Sequence, residues 1–318
     1  MVSDIAIAVD HLVKVYRRGN QEEVRAVDDL SFTVQRGVIF GLLGPNGAGK
    51  TTTLRILTTL ARPTSGRASV LGHDVVGAAL EVRKQIGVVI QEQAAELFLS
   101  VRDNLLTFAR FHGDAGVAVR RRAVDVMGRF GLENVAETKV QDLSGGVRRR
   151  VQVAKMFMID APIIFLDEFS SGMDAILKRS VIELLRGQAA QGRTIVLTTQ
   201  ILTEAEELCD DILIINKGQS IARGDLQHLK TLVDRLYDVT LSFERAPEDL
   251  TQIVAGFHPL ALTVTHNTVR LKLREEETRV LELVTLLAKR GRVLRIEING
   301  ASLEDIFVEL TQRSGRHS

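Results

Sequence analysis

Residues 44–52, GPNGAGKTT, have the types and spacing of a loop that binds phosphate. They match G-x-x-x-x-G-K-[ST] and lie between an apolar run and a helical pattern, which is the context that this motif requires. Glycines let consecutive backbone N–H groups converge on phosphate oxygens, and the N-terminus of the following helix favours anions. The lysine reaches the β and γ phosphates, and the next hydroxyl can hold Mg²⁺. The predicted nucleotide contacts are Gly44, Pro45, Asn46, Gly47, Ala48, Gly49, Lys50, Thr51 and Thr52, with Lys50 also catalytic and Thr51 also a metal ligand.

A predicted buried strand that ends in two acids, IIFLDE, supplies further hydrolytic groups. Asp167 at the strand end can bind the Mg²⁺ shell, directly or through water. Glu168 points differently and can act as a general base toward the attacking water. Two acids after an apolar run more often begin a helix, but the phosphate loop upstream favours the hydrolytic interpretation.

The segment LSGGVRRR, residues 143–150, predicts a second anion site. Ser144, Gly145 and Gly146 offer a hydroxyl, a flexible backbone and a helix N-terminus. Alone, such a segment is more often only a helix cap. Its position between the phosphate loop and the Asp-Glu strand favours phosphate binding.

Alternating strands and helices must position these residues. The runs VIFGLL, IGVVI, IIFL, TIVLTT and ILIIN predict buried strands of a mostly parallel sheet. Residues 92–155 show helical spacing without a strand, with a capping box at Ser100 and Asp103 and helix ends at Gly113 and Gly131. The predicted class is α/β, with a helical subdomain over residues 92–155. The phosphate loop in this context resembles that of P-loop NTPases, and this resemblance implies a cassette with an antiparallel edge.

The pattern changes after residue 235, where short strands alternate with three helices. The predicted helices lie near residues 247–255, 275–290 and 302–311, the last beginning at Ser302. We therefore expect an ATP-binding domain over residues 1–235 and a small α+β accessory domain over residues 236–318. The accessory domain carries no catalytic constellation, and we expect it to support a dimer or regulate activity.

Composition excludes several classes. The chain has 318 residues, with 41 Lys and Arg against 40 Asp and Glu, so its net charge of +1 attracts neither nucleic acid nor an anionic membrane surface. Cys209 is the only cysteine, which excludes an intramolecular disulfide and fits a reducing cytosol. The most apolar stretch, residues 156–166, is interrupted by Asp160 and Pro162 and is too short to cross a membrane. No signal peptide is recognisable.

The ordered motifs over residues 1–235 resemble the ATP-binding cassette (ABC) family, in which LSGG is the signature motif. This resemblance implies ATP with Mg²⁺, adenine stacking by Tyr16, and a role for Asp174 in the loop after the acids. It implies that Gln91 in VVIQEQ is a metal ligand and links the nucleotide to a membrane partner, and that Gln200 is a catalytic switch residue. The family also implies a head-to-tail pair with a second cassette, expected to be an identical chain. The signature of one cassette then caps the γ-phosphate bound by the other, so a lone cassette should hydrolyse ATP poorly.

The segments VRRRVQVA, TTQILTEAEELCDDILIINKGQSIARGD and SLEDIFVELT resemble ATP-binding subunits of bacterial daunorubicin and doxorubicin exporters. This implies multidrug efflux and antibiotic resistance through separate membrane permease subunits, with the chain peripheral at the cytoplasmic face of the cell membrane. Export of lipid, polysaccharide or ions, and a non-transport regulatory ATPase, remain alternatives. DNA-repair members would add a zinc site or long coiled coil, and translation-associated members a second cassette. No nucleic-acid partner is expected.

Three positions depart from the family pattern. Val147 replaces the usual glutamine of the signature, Phe169 the usual proline after the acids, and Gln200 the common histidine. The glutamine amide can donate to a phosphate oxygen, but it cannot change charge near neutral pH. We expect these departures to tune turnover without abolishing it.

Overall fold

The chain forms two compact units, Met1–Arg223 and Gly224–Ser318. The computed structural model describes residues 4–18, 22–89, 95–233 and 235–315. The boundary lies before the one expected after residue 235, because a short helix, Leu226–Thr231, packs against the last helix, Leu303–Gly315. That short helix therefore belongs to the second unit.

Within the described residues, ten strands of the first unit form two sheets. The strands are β1 (Ile5–Arg18), β2 (Glu22–Gln35), β3 (Ile39–Leu43), β4 (Ser65–Val70), β5 (His73–Asp74), β6 (Ile86–Val89), β7 (Ile163–Asp167), β8 (Thr194–Thr199), β9 (Asp211–Asn216) and β10 (Gln219–Gly224). One sheet is antiparallel with the order β2-β1-β4-β5. The other has the order β10-β9-β3-β8-β7-β6, and its neighbours from β9 to β6 are parallel. The mostly parallel core of the predicted α/β cassette is confirmed.

The α-helices found in the described part of the first unit are α1 (Lys50–Leu57), α2 (Ala79–Lys84), α3 (Val101–Phe111), α4 (Val117–Arg129), α5 (Gly145–Lys155), α6 (Ala175–Ala190) and α7 (Leu202–Leu208). Between residues 95 and 155 the chain forms α3, α4, α5 and two 3-10 turns, as the helical spacing predicted. The Ser100 Oγ accepts from the Asp103 N–H at 3.0 Å, which confirms the predicted helix start at Ser100. The Asp103 carboxylate accepts from the Ser100 hydroxyl at 2.8 Å, whereas in a capping box it would accept from the Ser100 backbone N–H. Gly113 and Gly131 end α3 and α4 with φ of +89° and +58°.

Apolar side chains cover both faces of the parallel sheet. Alternate residues of β7 face opposite sides: Phe165 packs toward the antiparallel sheet, and Ile164 and Leu166 pack toward the helical subdomain. Strands β3, β7 and β8 are buried along their whole length. Because these strands are parallel, their carboxyl ends meet at one edge, where the phosphate loop, the two acids and Gln200 follow.

The second unit has ferredoxin-like connectivity. Its elements are α8 (Leu226–Thr231), β11 (Leu236–Phe243), α9 (Leu250–Ala255), β12 (Ala261–Thr265), β13 (Thr268–Arg274), α10 (Glu277–Arg290), β14 (Val293–Gly300) and α11 (Leu303–Gly315). The sheet order is β12-β13-β11-β14, with antiparallel pairs throughout. From β11 to β14 the chain follows the β-α-β-β-α-β pattern.

Helices lie on both faces of this second sheet. Helices α9 and α10 cover the face that carries Val239, Leu241 and Leu271. On the other face α11 is held by ion pairs from Lys272 to Asp305 and from Arg274 to Glu309. The α+β class and the three helices expected from the sequence are present. Within the described ranges, no helix is long and apolar enough to span a membrane.

Candidate active site

The phosphate loop is tightly enclosed where it joins β3 to α1. A Cβ atom at Gly44 would lie 2.3 Å from the Ile215 carbonyl oxygen, and one at Gly49 would lie 2.3 Å from the Ala26 carbonyl oxygen. Gly47 and Gly49 also have φ of +79° and +106°, in the left-handed region that favours glycine. The loop shape therefore depends on glycine, as its sequence predicts.

Lys50 opens α1 and folds back over the loop. Its side chain is buried, and Nζ donates to the carbonyl oxygens of Gly44 at 2.7 Å and Pro45 at 3.0 Å. Burial lowers the pKa of the Lys50 ammonium, while the nearby carboxylates of Glu168 and Asp167 act in the opposite direction. A cation is thus held inside the loop by two neutral acceptors.

The two expected metal ligands, Thr51 and Asp167, lie next to each other. Asp167 is 1% exposed, and Thr51 Oγ1 donates to its Oδ2 at 3.3 Å. Thr198 at the end of β8 donates to the other carboxylate oxygen. These hard oxygen donors suit Mg²⁺, which binds few carboxylates and retains several waters. Gln91, the third expected metal ligand, lies in residues 90–94, outside the described residues.

Glu168 follows Asp167 in a strained backbone conformation. Its φ is +49°, which is rare for a residue with a side chain. The Glu168 N–H donates to the Thr198 carbonyl oxygen at 3.0 Å, and its own carbonyl accepts from Arg149 at 2.8 Å. Hydrogen bonds on both sides of the residue therefore stabilise the unusual turn.

Arg149 is a buried cation that the sequence analysis missed. From α5 it donates to the carbonyl oxygens of both Asp167 and Glu168, and to Gln152 Oε1 at 2.8 Å. Burial lowers the pKa of Arg149, and the carboxylates of the two acids oppose that shift. Its position four residues before the buried Val153 places it on the inward face of α5, a signal that the sequence contained.

Two cavities adjoin Glu168. One of about 380 Å³ is lined by the phosphate loop from Asn46 to Thr52, by Glu168 and by Tyr16, which is 37% exposed on β1. The other, of about 370 Å³, is lined by Gly145, Gly146, Arg149, Gly172 and Glu168 among others. The structure thus brings Tyr16, the phosphate loop and Glu168 together, and it places the signature glycines on a separate cavity.

The signature segment contacts the loop that follows the acids. Ser144 caps α5 and accepts from the Val147 N–H at 3.4 Å. A Cβ atom at Gly146 would lie 2.3 Å from the Gly172 carbonyl oxygen. Asp174, in the same loop, caps α6 by accepting from the Leu177 N–H at 2.9 Å, and this bond lowers the pKa of Asp174. The two segments therefore pack directly on each other.

Glu204, which the sequence analysis also missed, connects the region of the switch position to the loop after Glu168. Gln200 itself is exposed beyond the end of β8. Glu204 is 1% exposed and accepts from Ser170 Oγ at 2.6 Å, Lys178 Nζ at 2.8 Å and Thr199 Oγ1 at 3.2 Å. Nothing in the acidic run EAEE distinguishes this buried carboxylate from exposed helix residues.

Two of the departures from the family pattern have structural explanations. Val147 is half-buried and packs against the core of the helical subdomain. Phe169 is fully buried in the same core. Both side chains contribute to packing, whereas the two cavities are lined by other residues of the same segments.

Comparisons with known proteins agree with this geometry. A family model described as "ABC transporter" matches residues 27–171. The chain is 36% identical to a daunorubicin resistance ATP-binding protein of Streptomyces coeruleorubidus, over 98% of this chain and 97% of that protein. It is 34% identical to a Nod factor export ATP-binding protein of Neorhizobium galegae, over 97% of this chain and 86% of that protein.

Solved structures give the same fold. An ATP-binding subunit of an ABC transporter aligns with a TM-score of 0.65 and 26% identity, over 71% of this chain and 92% of that chain. A dimeric bacterial ABC transporter cassette, MJ0796, aligns with a TM-score of 0.65 and 24% identity, over 69% of this chain and 98% of that chain.

Proposed function

This chain belongs to the ATP-binding subunits of ABC transporters and is an ATPase, and we propose that it powers the export of hydrophobic compounds, including multidrug efflux, through a separate membrane permease. Its daunorubicin-resistance and Nod-factor-export relatives support an export role. The observation that carries the proposal is the grouping of Lys50, Thr51, Asp167 and Glu168 at one end of the parallel sheet.

The cavity beside the phosphate loop is the proposed ATP site. Tyr16 would stack on adenine at one end, and the loop N–H groups would hold the phosphates at the other. Lys50 would exchange its two carbonyl acceptors for β- and γ-phosphate oxygens. In this state the loop's own residues supply both positive charge and backbone donors.

Glu168 is the proposed general base. Its backbone bonds to Thr198 and Arg149 hold it at the edge of the ATP cavity, where its carboxylate would orient and deprotonate water. Thr51 and Asp167 would hold Mg²⁺, which neutralises phosphate charge when bound. Gln200 would donate its amide to a γ-phosphate oxygen.

A second identical chain would complete the site. Because Ser144, Gly145 and Gly146 lie at a helix start beside a different cavity, we propose that they cap nucleotide bound by a partner in a head-to-tail pair. Asp174 and Gly172 would lie in the same pairing surface. ATP would close the pair and hydrolysis would reopen it, which drives the permease between its two orientations and places the chain at the cytoplasmic face of the membrane.

The first test is a Glu168→Gln variant. We expect it to bind ATP, to lose most turnover and to accumulate as a dimer with ATP, measured by equilibrium binding, phosphate release and light scattering. Lys50→Ala is the matched control, because it should lose ATP binding itself. Unchanged turnover in Glu168→Gln would remove this residue from the proposed role.

The transport proposal needs a separate test. The chain should be co-purified with its membrane partner and reconstituted, and ATPase activity measured with anthracyclines, lipids or no addition. Drug export would be supported if hydrophobic drugs stimulate the ATPase activity of the complex and do not stimulate that of the Glu168→Gln complex. Stimulation by lipid alone, or ATPase activity in the complex that no hydrophobic drug raises, would contradict it.

A further inference from the structure

Strand β14 of the second unit is an open sheet edge with exposed aliphatic side chains. It pairs with β11 on one side only, at the end of the sheet. Leu294, Ile296 and Ile298 are 63%, 47% and 37% exposed. Long apolar edge strands template pairing with another strand, and proteins normally protect them with charge, proline or a covering element. An edge of this kind is therefore suited to β-strand addition.

The two faces of β14 differ in chemistry. Ile296 and Ile298 lie opposite Leu241 and Val239, so they continue the face that α9 and α10 cover, at its uncovered margin. Arg295 and Glu297 point to the other face and form an ion pair with each other. The strand thus presents an aliphatic row on one face and opposite charges two residues apart on the other.

We propose that two copies of this chain pair through β14 in antiparallel fashion, about a two-fold axis that passes beside Ile296. The two four-stranded sheets become one eight-stranded sheet. Ile296 lies opposite its own copy, and the rows of Ile296 and Ile298 merge into one apolar strip continuous with both cores. Leu294 is the extra residue of a β-bulge, since Ser242 pairs with Arg295 and Phe243 with Val293, and it lies at the end of the paired segment, near Ile298 of the partner subunit. This contact is additional to the nucleotide-dependent pairing of the cassettes.

Charge selects this register. In a continuous sheet, two directly opposed residues project their side chains to the same face. When two copies of one strand pair about a two-fold axis, the residue at the axis must therefore lie opposite the same residue of the other copy. Centred on Ile296, the pairing places Arg295 of each copy opposite Glu297 of the other, an attractive cross-strand pair formed twice. If the axis passed beside Arg295 or Glu297, that residue would lie opposite the same charge in the other copy. If it passed beside Leu294 or Ile298, fewer residues of the two strands would be paired.

A cysteine at the axis tests the geometry in the full-length chain without nucleotide. Residues directly opposed in an antiparallel pair have Cα atoms about 4.5 to 5.5 Å apart, within the range of disulfides. Ile296→Cys should therefore form a covalent dimer under mild oxidation. Leu281→Cys is the matched control, since Leu281 is 49% exposed but belongs to α10 and not to the paired strand. Equal cross-linking of the two variants, or none in Ile296→Cys, would overturn the proposal.

Charge reversal tests the register. In sedimentation equilibrium without nucleotide, the unmodified chain should dimerise, and Arg295→Glu or Glu297→Arg should each be monomeric. The double variant Arg295→Glu/Glu297→Arg should dimerise again. A nucleotide-free chain that stays monomeric at its highest soluble concentration, or a double variant as monomeric as the single ones, would refute the pairing.

These experiments are independent of ATP chemistry. Circular dichroism of each variant would show that the unit still folds, and ATP binding by the cassette should be unchanged because the substitutions lie in the second unit. Failure of the proposed ATPase site would appear in the Glu168→Gln experiment and would leave the edge-pairing result intact.

Discussion

Replacing Arg149 with methionine should uncouple ATP binding from ATP hydrolysis. Arg149 is 7% exposed and donates to the carbonyl oxygens of Asp167 and Glu168. Methionine fills similar space but cannot donate a hydrogen bond. The two carbonyl oxygens would lose their partner at the point where the backbone of Glu168 is already in the left-handed region.

The expected magnitude follows from these contacts. A hydrogen bond from a charged donor contributes about 1.5–3 kcal/mol. The three lost bonds, to the two carbonyls and to Gln152, therefore set an upper value of about 5–9 kcal/mol. The adjoining cavity admits water to the freed carbonyls, and we therefore expect a loss of about 2–3 kcal/mol in the free energy of unfolding. With a urea dependence of about 1–3 kcal/mol per molar, the midpoint should fall by about 1–3 M.

The effect on activity should be larger in kcat than in ATP affinity. A displacement of about 1 Å at a catalytic group costs about 10²-fold in rate. The hydrogen bonds of Arg149 to the Asp167 and Glu168 carbonyls lie outside the phosphate loop, so nucleotide affinity should be preserved. Arg149→Lys is the matched control, since it retains the charge and one donor. Its kcat should lie between those of the unmodified chain and of Arg149→Met.

Urea unfolding followed by circular dichroism, equilibrium ATP binding and steady-state ATPase assays measure the three quantities. If Arg149→Met loses stability and ATP affinity together while kcat holds, Arg149 is structural and the reasoning fails. If none of the three changes, the contacts to Asp167 and Glu168 contribute nothing in solution.

Three further predictions concern other side chains of the first unit, one exposed and two buried. Gln200→Ala should slow ATP turnover more than Gln200→His, because an imidazole retains a donor; equal rates for all three chains would contradict this. Glu204→Gln should lower kcat with little change in the KM for ATP, since it removes the charge of the carboxylate that pairs with Lys178 and accepts from Ser170 in the loop after Glu168; a parallel loss in Lys178→Met would support the link, and a change in KM alone would refute it. Burial lowers the pKa of Lys155 to about 8, so the unfolded state binds more protons between about pH 8 and 10.5 and stability should rise across that window by up to about 3 kcal/mol. Lys155→Met should lack this rise in thermal or urea unfolding, and identical pH profiles of the two chains would exclude it.

The sequence was sufficient where a motif dictates backbone geometry. Gly44 and Gly49 are required by close carbonyl approaches, and the apolar runs around them predict the buried strands that hold the loop. Ser100 and Asp103 likewise predicted a helix start through a local hydrogen bond. Each of these signals acts over a few residues, so it can be recognised without knowledge of the tertiary fold.

The sequence was insufficient where a side chain acts across the fold. Arg149 is 18 residues from Asp167 along the chain, and Glu204 is 34 residues from Ser170. No sequence pattern predicts contacts between residues this far apart along the chain. In addition, an arginine or glutamate in a charged helical run is usually exposed. The same reason applies to the domain boundary, which lies after residue 223 and not after residue 235 as expected. Helix α8 belongs to the second unit because it contacts α11, which is distant along the chain.

The left-handed backbone at Glu168 has a consequence for engineering. A residue with a side chain in this conformation costs about 1–2 kcal/mol, a cost that glycine avoids. A library screened for heat resistance alone should therefore enrich glycine at position 168 and select catalytically dead proteins that fold better than their parent. Directed evolution of this chain therefore needs selection for ATP turnover in every round. At position 168 folding stability favours glycine, whereas the proposed general-base role requires glutamate.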